Sequence, residues 1–263
     1  MTWSMSRRIR TGILMLGLAG LLLACGQTTQ EAGRTERLRT RVVLLGTGTP
    51  NAEPDRSGPA LAVVIDTTAW LVDSGPGVVR RANAAAERGI DALRPNRLER
   101  LFLTHLHSDH TLGLPDLIFT SWVLERQQPL QVWGPTGTRA MIDHILAAWV
   151  ADRTVRLEGL EPASPDGWRV EVHEIGPGVV YDDGLVKVTA FGVHHGDWDQ
   201  AFGFRFDGPD RVVVVSGDTT PSPALIEVAR DCDVLVHEVY SQVGFEGRPP
   251  VWQRYHADAH TSA

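Results

Sequence analysis

The sequence is poor in cysteine. Cys25 and Cys232 are its only two, so no disulfide framework is available to staple a small fold. It has no excess of positive charge. The formal net charge is −7 over 263 residues, which disfavours a polyanionic partner such as nucleic acid. It has no apolar run long enough to cross a bilayer, which needs about 20 residues. No internal repeat or low-complexity tract is evident, which argues against solenoids and arrays. The first hundred residues hold no histidine, although the chain has 10. Imidazole chemistry therefore belongs to its middle and end.

What is present suits an ordinary globular protein. Hydrophobic residues make up 43 % and charged residues 22 %, enough for a core in one large domain or two small ones. Residues 1–25 read as a targeting segment. Arg7, Arg8 and Arg10 precede a short apolar run over 13–23, and Leu22-Leu23-Ala24-Cys25 resembles a bacterial lipoprotein signal, cut before a cysteine that then carries lipid. Ser6-Arg7-Arg8 hints at a twin-arginine signal, against which Arg10 counts. The expectation is an exported, membrane-anchored lipoprotein on the periplasmic or cell-surface side, lipidated at Cys25. Removing residues 1–24 takes away three arginines and no acid, so the formal charge moves from −7 to −10. Residues 26–40 are a polar tether, and the folded domain is expected over 41–263. Cys232, beside an apolar run, reads as a small buried residue.

Within that domain, short apolar runs predict strands over 42–45, 61–65, 69–72, 101–103, 131–133, 170–173, 186–191, 202–206, 212–215 and 234–236. Helices are predicted from Pro76 to about 88, over 117–124, 137–150 and 222–230. In the third of these, Met141, Ile142, Ile145, Leu146, Trp149 and Val150 form one stripe. His144 lies off that stripe and His173 alternates with Val172, so both are expected at the surface. Gly46-Thr47-Gly48-Thr49-Pro50 reads as a tight turn and lacks the third glycine of a dinucleotide loop.

The strand over 101–103 delivers Thr104-His105-Leu106-His107-Ser108-Asp109-His110. His105 and His107 are two apart, so at a strand end both can face one way. Asp109 and His110 would follow on a loop. Neutral imidazole with carboxylate suits zinc, iron or manganese better than calcium or magnesium. A polar loop with accidental histidines is the bland alternative. Against it, other strands also end in metal-capable residues: His195, Asp218 and His237. Side chains on loops held by a sheet are a common way to build a site. Asp73, before Ser74-Gly75-Pro76-Gly77, is either a helix cap or a buttress behind a metal ligand.

These residues carry a family resemblance. His105-Leu106-His107-Ser108-Asp109-His110 resembles the signature of the metallo-β-lactamase superfamily. The glycine turn at Gly46, Asp73-Ser74-Gly75, Ser216-Gly217-Asp218-Thr219 and His237-Glu238 resemble its ribonuclease Z and arylsulfatase-like branch. The resemblance implies an α/β fold, an αββα sandwich with two divalent metals at one edge of the paired sheets, zinc first with manganese or iron as alternatives. By position, His105, His107 and His195 would hold one metal, Asp109 and His110 the other, and Asp218 would bridge. Asp109 would orient a hydroxide between the metals, and His260 would protonate the leaving group. Asp73, His237 and Glu238 would act from behind. His194 and Trp198 are candidates for the substrate pocket, whereas Trp122 and Trp133 fit the core better. His256 matches no family position and is expected at the surface.

The pattern departs from the family in one respect. Relatives carry a further histidine beyond His260, and this sequence stops at Ala263. The expectation is a fold without its last helix and strand, a second metal site that is incomplete, and a first metal held more tightly. An aspartate at 218, where many true β-lactamases have cysteine, argues against β-lactams. The shared His105-to-Asp116 form implies an arylsulfatase-like hydrolase of a small sulfate ester or phosphoester. The alternatives are a ribonuclease Z-like phosphodiesterase, related to 3'-tRNA-processing endoribonucleases, a lactonase, or an inactive truncated metal-binding lipoprotein. Export and the absence of a tRNA-gripping insertion weigh against the ribonuclease. A homodimer is left open.

Overall fold

In the computed structural model residues 39–161 and 163–257 are described. Cys25, the tether through residue 38 and His260 lie outside them. Alternation of apolar side chains decides the layers. Strand β2 (Ala60–Ile65) is buried along its whole length. Leu61, Val63 and Ile65 face one core while Ala60, Ala62 and Val64 face another. Successive side chains point to opposite faces of a sheet, so a strand that is apolar on both faces must be covered twice.

The first sheet runs β1 (Thr40–Gly46), β2, β3 (Thr68–Val72), β4 (Arg100–Phe102), β5 (Leu130–Gly134) and β6 (Val170–Glu174) in that order. Its β1–β2–β3 part is antiparallel and its β3–β4–β5–β6 part parallel. The second sheet runs β11 (Val234–Val236), β10 (Val212–Val215), β9 (Phe202–Asp207), β8 (Lys187–Gly192) and β7 (Gly178–Asp182). Only its β10–β11 pair is parallel.

Helices cover the outer faces. Val78, Val79 and Ala82 of α1 (Val78–Ala86) and Leu114, Leu117 and Ile118 of α3 (Leu114–Val123) pack on the first sheet, after the short α2 (Ser108–Thr111). Ile142 of α4 (Thr138–Ala148) joins them, and α5 (Val150–Glu158) follows it without a buried residue. On the other side Leu225 of α6 (Pro223–Val228) packs on Val214 and Phe191. The last helix of the described chain is α7 (Gln242–Glu246). The two mixed sheets with helices outside form an αββα sandwich.

Between the sheets the core is aromatic. Phe102 stacks on Trp133 at 4.7 Å and meets Phe204 and Phe206 edge-on at 5.5 and 5.6 Å. Truncating such a ring to alanine costs about 3–5 kcal/mol through lost transfer energy and an unfilled cavity. Trp122 and Trp133 are both core. The fully buried Arg126 is in no ion pair among the described residues, Glu99 acting on it only through its charge. Its guanidinium donates to the carbonyls of Leu98, Leu117, Ile118 and Gly167, and burial pushes its pKa down to about 10. Those bonds tie α3 to the loop before β4, and they satisfy a group that would otherwise be costly to bury.

Two elements depart from expectation. Strand β7 is not among the predicted strands: it lies half-exposed at a sheet edge, and its apolar run is only Val179-Val180-Tyr181 between Gly178 and Asp182. The helix predicted to reach residue 150 breaks at Trp149, whose ring stacks on Phe119 at 5.5 Å, and α5 follows from Val150.

Candidate metal centre

Five strand ends converge on one edge of the sandwich: β3 at Asp73, β4 at Thr104 and His105, β8 before His195, β10 before Asp218, and β11 before His237 and Glu238. Gly46 and Gly48 lie along the same edge. A Cβ on Gly46 would stand 1.9 Å from the Gly58 carbonyl oxygen, so close approach between two backbones, not a tight turn, requires glycine there.

His105, His107 and His195 come together. His107 Nδ1 is 2.9 Å from His105 Nε2 and 3.1 Å from His195 Nε2. Each ring is held from behind. His105 Nδ1 donates to Thr104 Oγ1 at 2.9 Å, and His195 Nδ1 donates to the Tyr255 carbonyl at 2.6 Å. Those bonds leave both Nε2 atoms as lone pairs aimed at one point, which is how ligating histidines are oriented. Burial, with neighbouring imidazoles, holds His105 well below the ordinary histidine pKa, lowers His107, and takes His195 down to about 4. The three nitrogens therefore stay neutral at pH 7, as metal ligands must be.

The second group is built from the opposite charge. Asp73 sits at φ +61°, a left-handed conformation uncommon outside glycine and asparagine. It caps no helix. Its Oδ1 accepts from Thr104 N at 2.9 Å, and its Oδ2 accepts from Thr104 Oγ1 at 2.9 Å and His110 Nδ1 at 2.8 Å. His110 lies on α2, a helical turn where a loop was expected. Its Nε2 faces Asp218 Oδ1 at 3.5 Å and Asp109 Oδ2 at 3.7 Å. Burial opposes a charge on His110, but Asp73 and Asp218 outweigh it and raise its pKa well above the ordinary value. Asp218 is likewise lowered, because the charge of His110 overcomes its burial.

Asp218 stands between the groups. Its Oδ1 faces His110, and its Oδ2 lies 4.0 Å from His195 Nε2 and 3.8 Å from His256 Nδ1. Two sets, His105–His107–His195 and His105–His110–Asp218, each offer three donor atoms within 4.8 Å of one another. A mixed nitrogen and carboxylate set with every imidazole oriented from behind fits divalent metal.

Several side chains fall elsewhere than expected. His256 is not a surface residue: it stacks on Trp252 at 5.0 Å and donates from Nδ1 to Glu238 Oε2 at 2.8 Å. Burial and the nearby Asp218 push Glu238 up to about 7, and Glu238 raises His256 against the effect of burial. No spacing rule links 256 to 238; only the course of residues 249–257 does. His237 turns away to Ser216 Oγ at 2.9 Å. His194 is exposed, with its carbonyl bonded to Thr220 N at 2.9 Å, and does not line the cavity beside the centre. Trp198 does not line it either, because its indole is engaged with His107. The cavity, about 730 Å³, takes its aromatic wall from Tyr240, Trp252 and Tyr255. His144 and His173 are exposed, as their positions predict, and Cys232 is only half-buried.

Comparison with known proteins places this geometry in a family. Residues 68–259 match the family model described as beta-lactamase superfamily domain. Ribonuclease Z of Mycobacterium marinum is 38 % identical over 204 residues, covering 75 % of this chain and 70 % of that protein. Ribonuclease Z of Mycobacterium sp. strain KMS is 41 % identical over 198 residues, covering 74 % and 67 %. The crystal structure of human tRNase Z, short form, superposes with a TM-score of 0.66 at 22 % identity, covering 84 % of this chain and 85 % of that one. This chain belongs to the metallo-β-lactamase superfamily and is a hydrolase of its ribonuclease Z branch.

Proposed function

We propose that the protein hydrolyses phosphodiester bonds with two divalent metals, zinc first, held at the two groups that Asp218 joins. The relatives named ribonuclease Z, at 38 and 41 % identity, carry this reading. They favour it over the aryl sulfate ester that the sequence alone suggests. His105, His107 and His195 would hold one metal, and Asp109 and His110 the other. Bound there, the metals supply positive charge to a phosphoryl oxygen and make a water acidic at neutral pH.

The chain's own residues do the rest. Asp109 would orient that water. Leaving-group protonation falls to Glu238 and His256, since a carboxyl pushed up to about 7 and bonded to an imidazole keeps a proton available near neutrality. His260, to which the family resemblance gives that task, lies outside the described residues, and comparing His256→Asn with His260→Ala separates the two. We take the substrate to be a small phosphodiester, not a folded RNA. Lys187 is the only lysine in the chain, and Arg56 is the one arginine or lysine among the described residues lining the cavity. Export and lipid anchoring at Cys25 complete the proposal.

The test is a rate panel on the zinc-loaded protein: bis-nitrophenyl phosphate, nitrophenyl sulfate, a lactone, a β-lactam and a precursor tRNA. The phosphodiester should lead. A dominant sulfate-ester rate restores the arylsulfatase reading, and efficient tRNA cleavage removes the restriction to small substrates.

A further inference from the structure

Trp198 lies edge-on to His107, its indole Nε1 2.9 Å from His107 Nε2 and the ring centroids 4.9 Å apart at 89°. A neutral imidazole has one proton and one lone pair to place. On the Nδ1 side of His107 stand His105 Nε2 and His195 Nε2. Both are lone pairs. The proton of His195 goes to the Tyr255 carbonyl, and that of His105 goes to Thr104 Oγ1, whose own proton goes to Asp73. On the Nε2 side stands a donor, the indole N–H, which can only donate.

A neutral His107 then has two arrangements. In one its proton is on Nδ1, between the two lone pairs, and Nε2 accepts from Trp198. In the other a cation takes all three lone pairs, the proton sits on Nε2, and it meets the indole N–H donor to donor. Passing between them removes one proton from Nδ1 and adds one at Nε2, with no net change. We propose that Trp198 fixes the proton of His107 on Nδ1 and thereby restrains metal uptake at the three-histidine group, so that indole and metal compete for one imidazole. The usual partner behind a ligating histidine is an acceptor; here it is a donor. Trp198 is a positioning residue, acting through His107. The proposal rests on the metal reading of that group.

The test is a zinc titration of the full chain, by chelator competition, with Trp198→Phe and Trp198→Gln alongside. Phenylalanine keeps a ring and removes the donor. Glutamine offers a carbonyl to an Nε2–H. Zinc should bind roughly tenfold more tightly to the phenylalanine variant, the low end of the effect of partners behind ligands, and at least as tightly to the glutamine variant. The Trp198 indole ¹H–¹⁵N resonance, assigned by its loss from either variant, should move when zinc is added to the wild type. Equal or weaker zinc binding by a variant with an unchanged melting curve overturns the proposal. So does an indole resonance that zinc leaves in place, a readout that stands even if one variant fails to fold. A wild type that takes up no zinc would instead bring down the metal reading, and the proposal with it.

Discussion

The two halves of the candidate metal centre lie within one edge of the sandwich yet solve opposite problems. In the three-histidine half, burial drives the imidazoles neutral, so they carry no positive charge. In the half around His110, the carboxylates of Asp73 and Asp218 hold the imidazole protonated against its burial. The first half needs only dehydration of the incoming metal, apart from the proton relocation that Trp198 opposes. The second must expel a proton before His110 can ligate. A shared histidine motif thus yields two groups of different proton cost, and the difference comes from Asp73, more than thirty residues upstream of His110, together with Asp218.

The largest effect should follow from breaking the first half. His195→Ala is expected to lose the metal there and to lower hydrolysis by about a thousandfold or more, since the metal contributes several kcal/mol of charge stabilisation. Metal analysis of the purified variant measures it, and a variant that keeps its full metal content would erase the distinction. Next comes Asp73→Asn, which tolerates the positive φ but removes the charge facing His110. It should weaken metal at the second half by about 10–100-fold and leave the first half nearly unchanged. Equal weakening of both halves would show that the two are one unit.

The pH dependence sharpens the contrast. Metal affinity at the second half should rise by up to about tenfold per pH unit while His110 still carries its proton. Affinity at the first half should vary less with pH, because burial lowers all three of its imidazoles, His195 to about 4. Calorimetry at three pH values separates these curves. Stability of the metal-free protein gives the smallest effect. The folded pKa of His195 lies below its unfolded value of about 6.5. Between about 6.5 and 4 the unfolded state binds more protons, so acid removes up to about 3 kcal/mol. His110 is raised and acts in the opposite sense: its stabilisation is present at low pH and fades as pH rises through its folded value. Denaturant midpoints of His195→Gln and His110→Gln across pH should therefore diverge in opposite directions.

How much of this was legible in the sequence follows from range. The His105–His110 motif, Asp218 and the strand ends are local signals; apolar runs such as 61–65 and 212–215 marked the strands, and the αββα arrangement came only with the family resemblance those motifs carry. Asp73 was readable only as one of two roles, because the choice depends on a positive φ and on Thr104 and His110 across the sheet. His256 was read as surface, since nothing near it in sequence indicates that residues 249–257 turn back over the centre. Trp198 was read as a substrate-pocket residue for the same reason: nothing near it in sequence shows that its indole is bonded to His107.

The return of that last segment has a consequence for the order of assembly. The carbonyl that orients His195 belongs to Tyr255, sixty residues later. The Tyr255 ring lies so close to Gly196 that a Cβ there would stand 1.9 Å from it, and Arg254 grips Asp197 at 2.6 Å. During synthesis, both strands of the β9–β10 pair and the helix after them emerge before this clasp can close. On the proposed metal reading, His195 is therefore the last of the three imidazoles to be aimed, and metal capture would come late in the life of the chain, once residues 254–255 have docked.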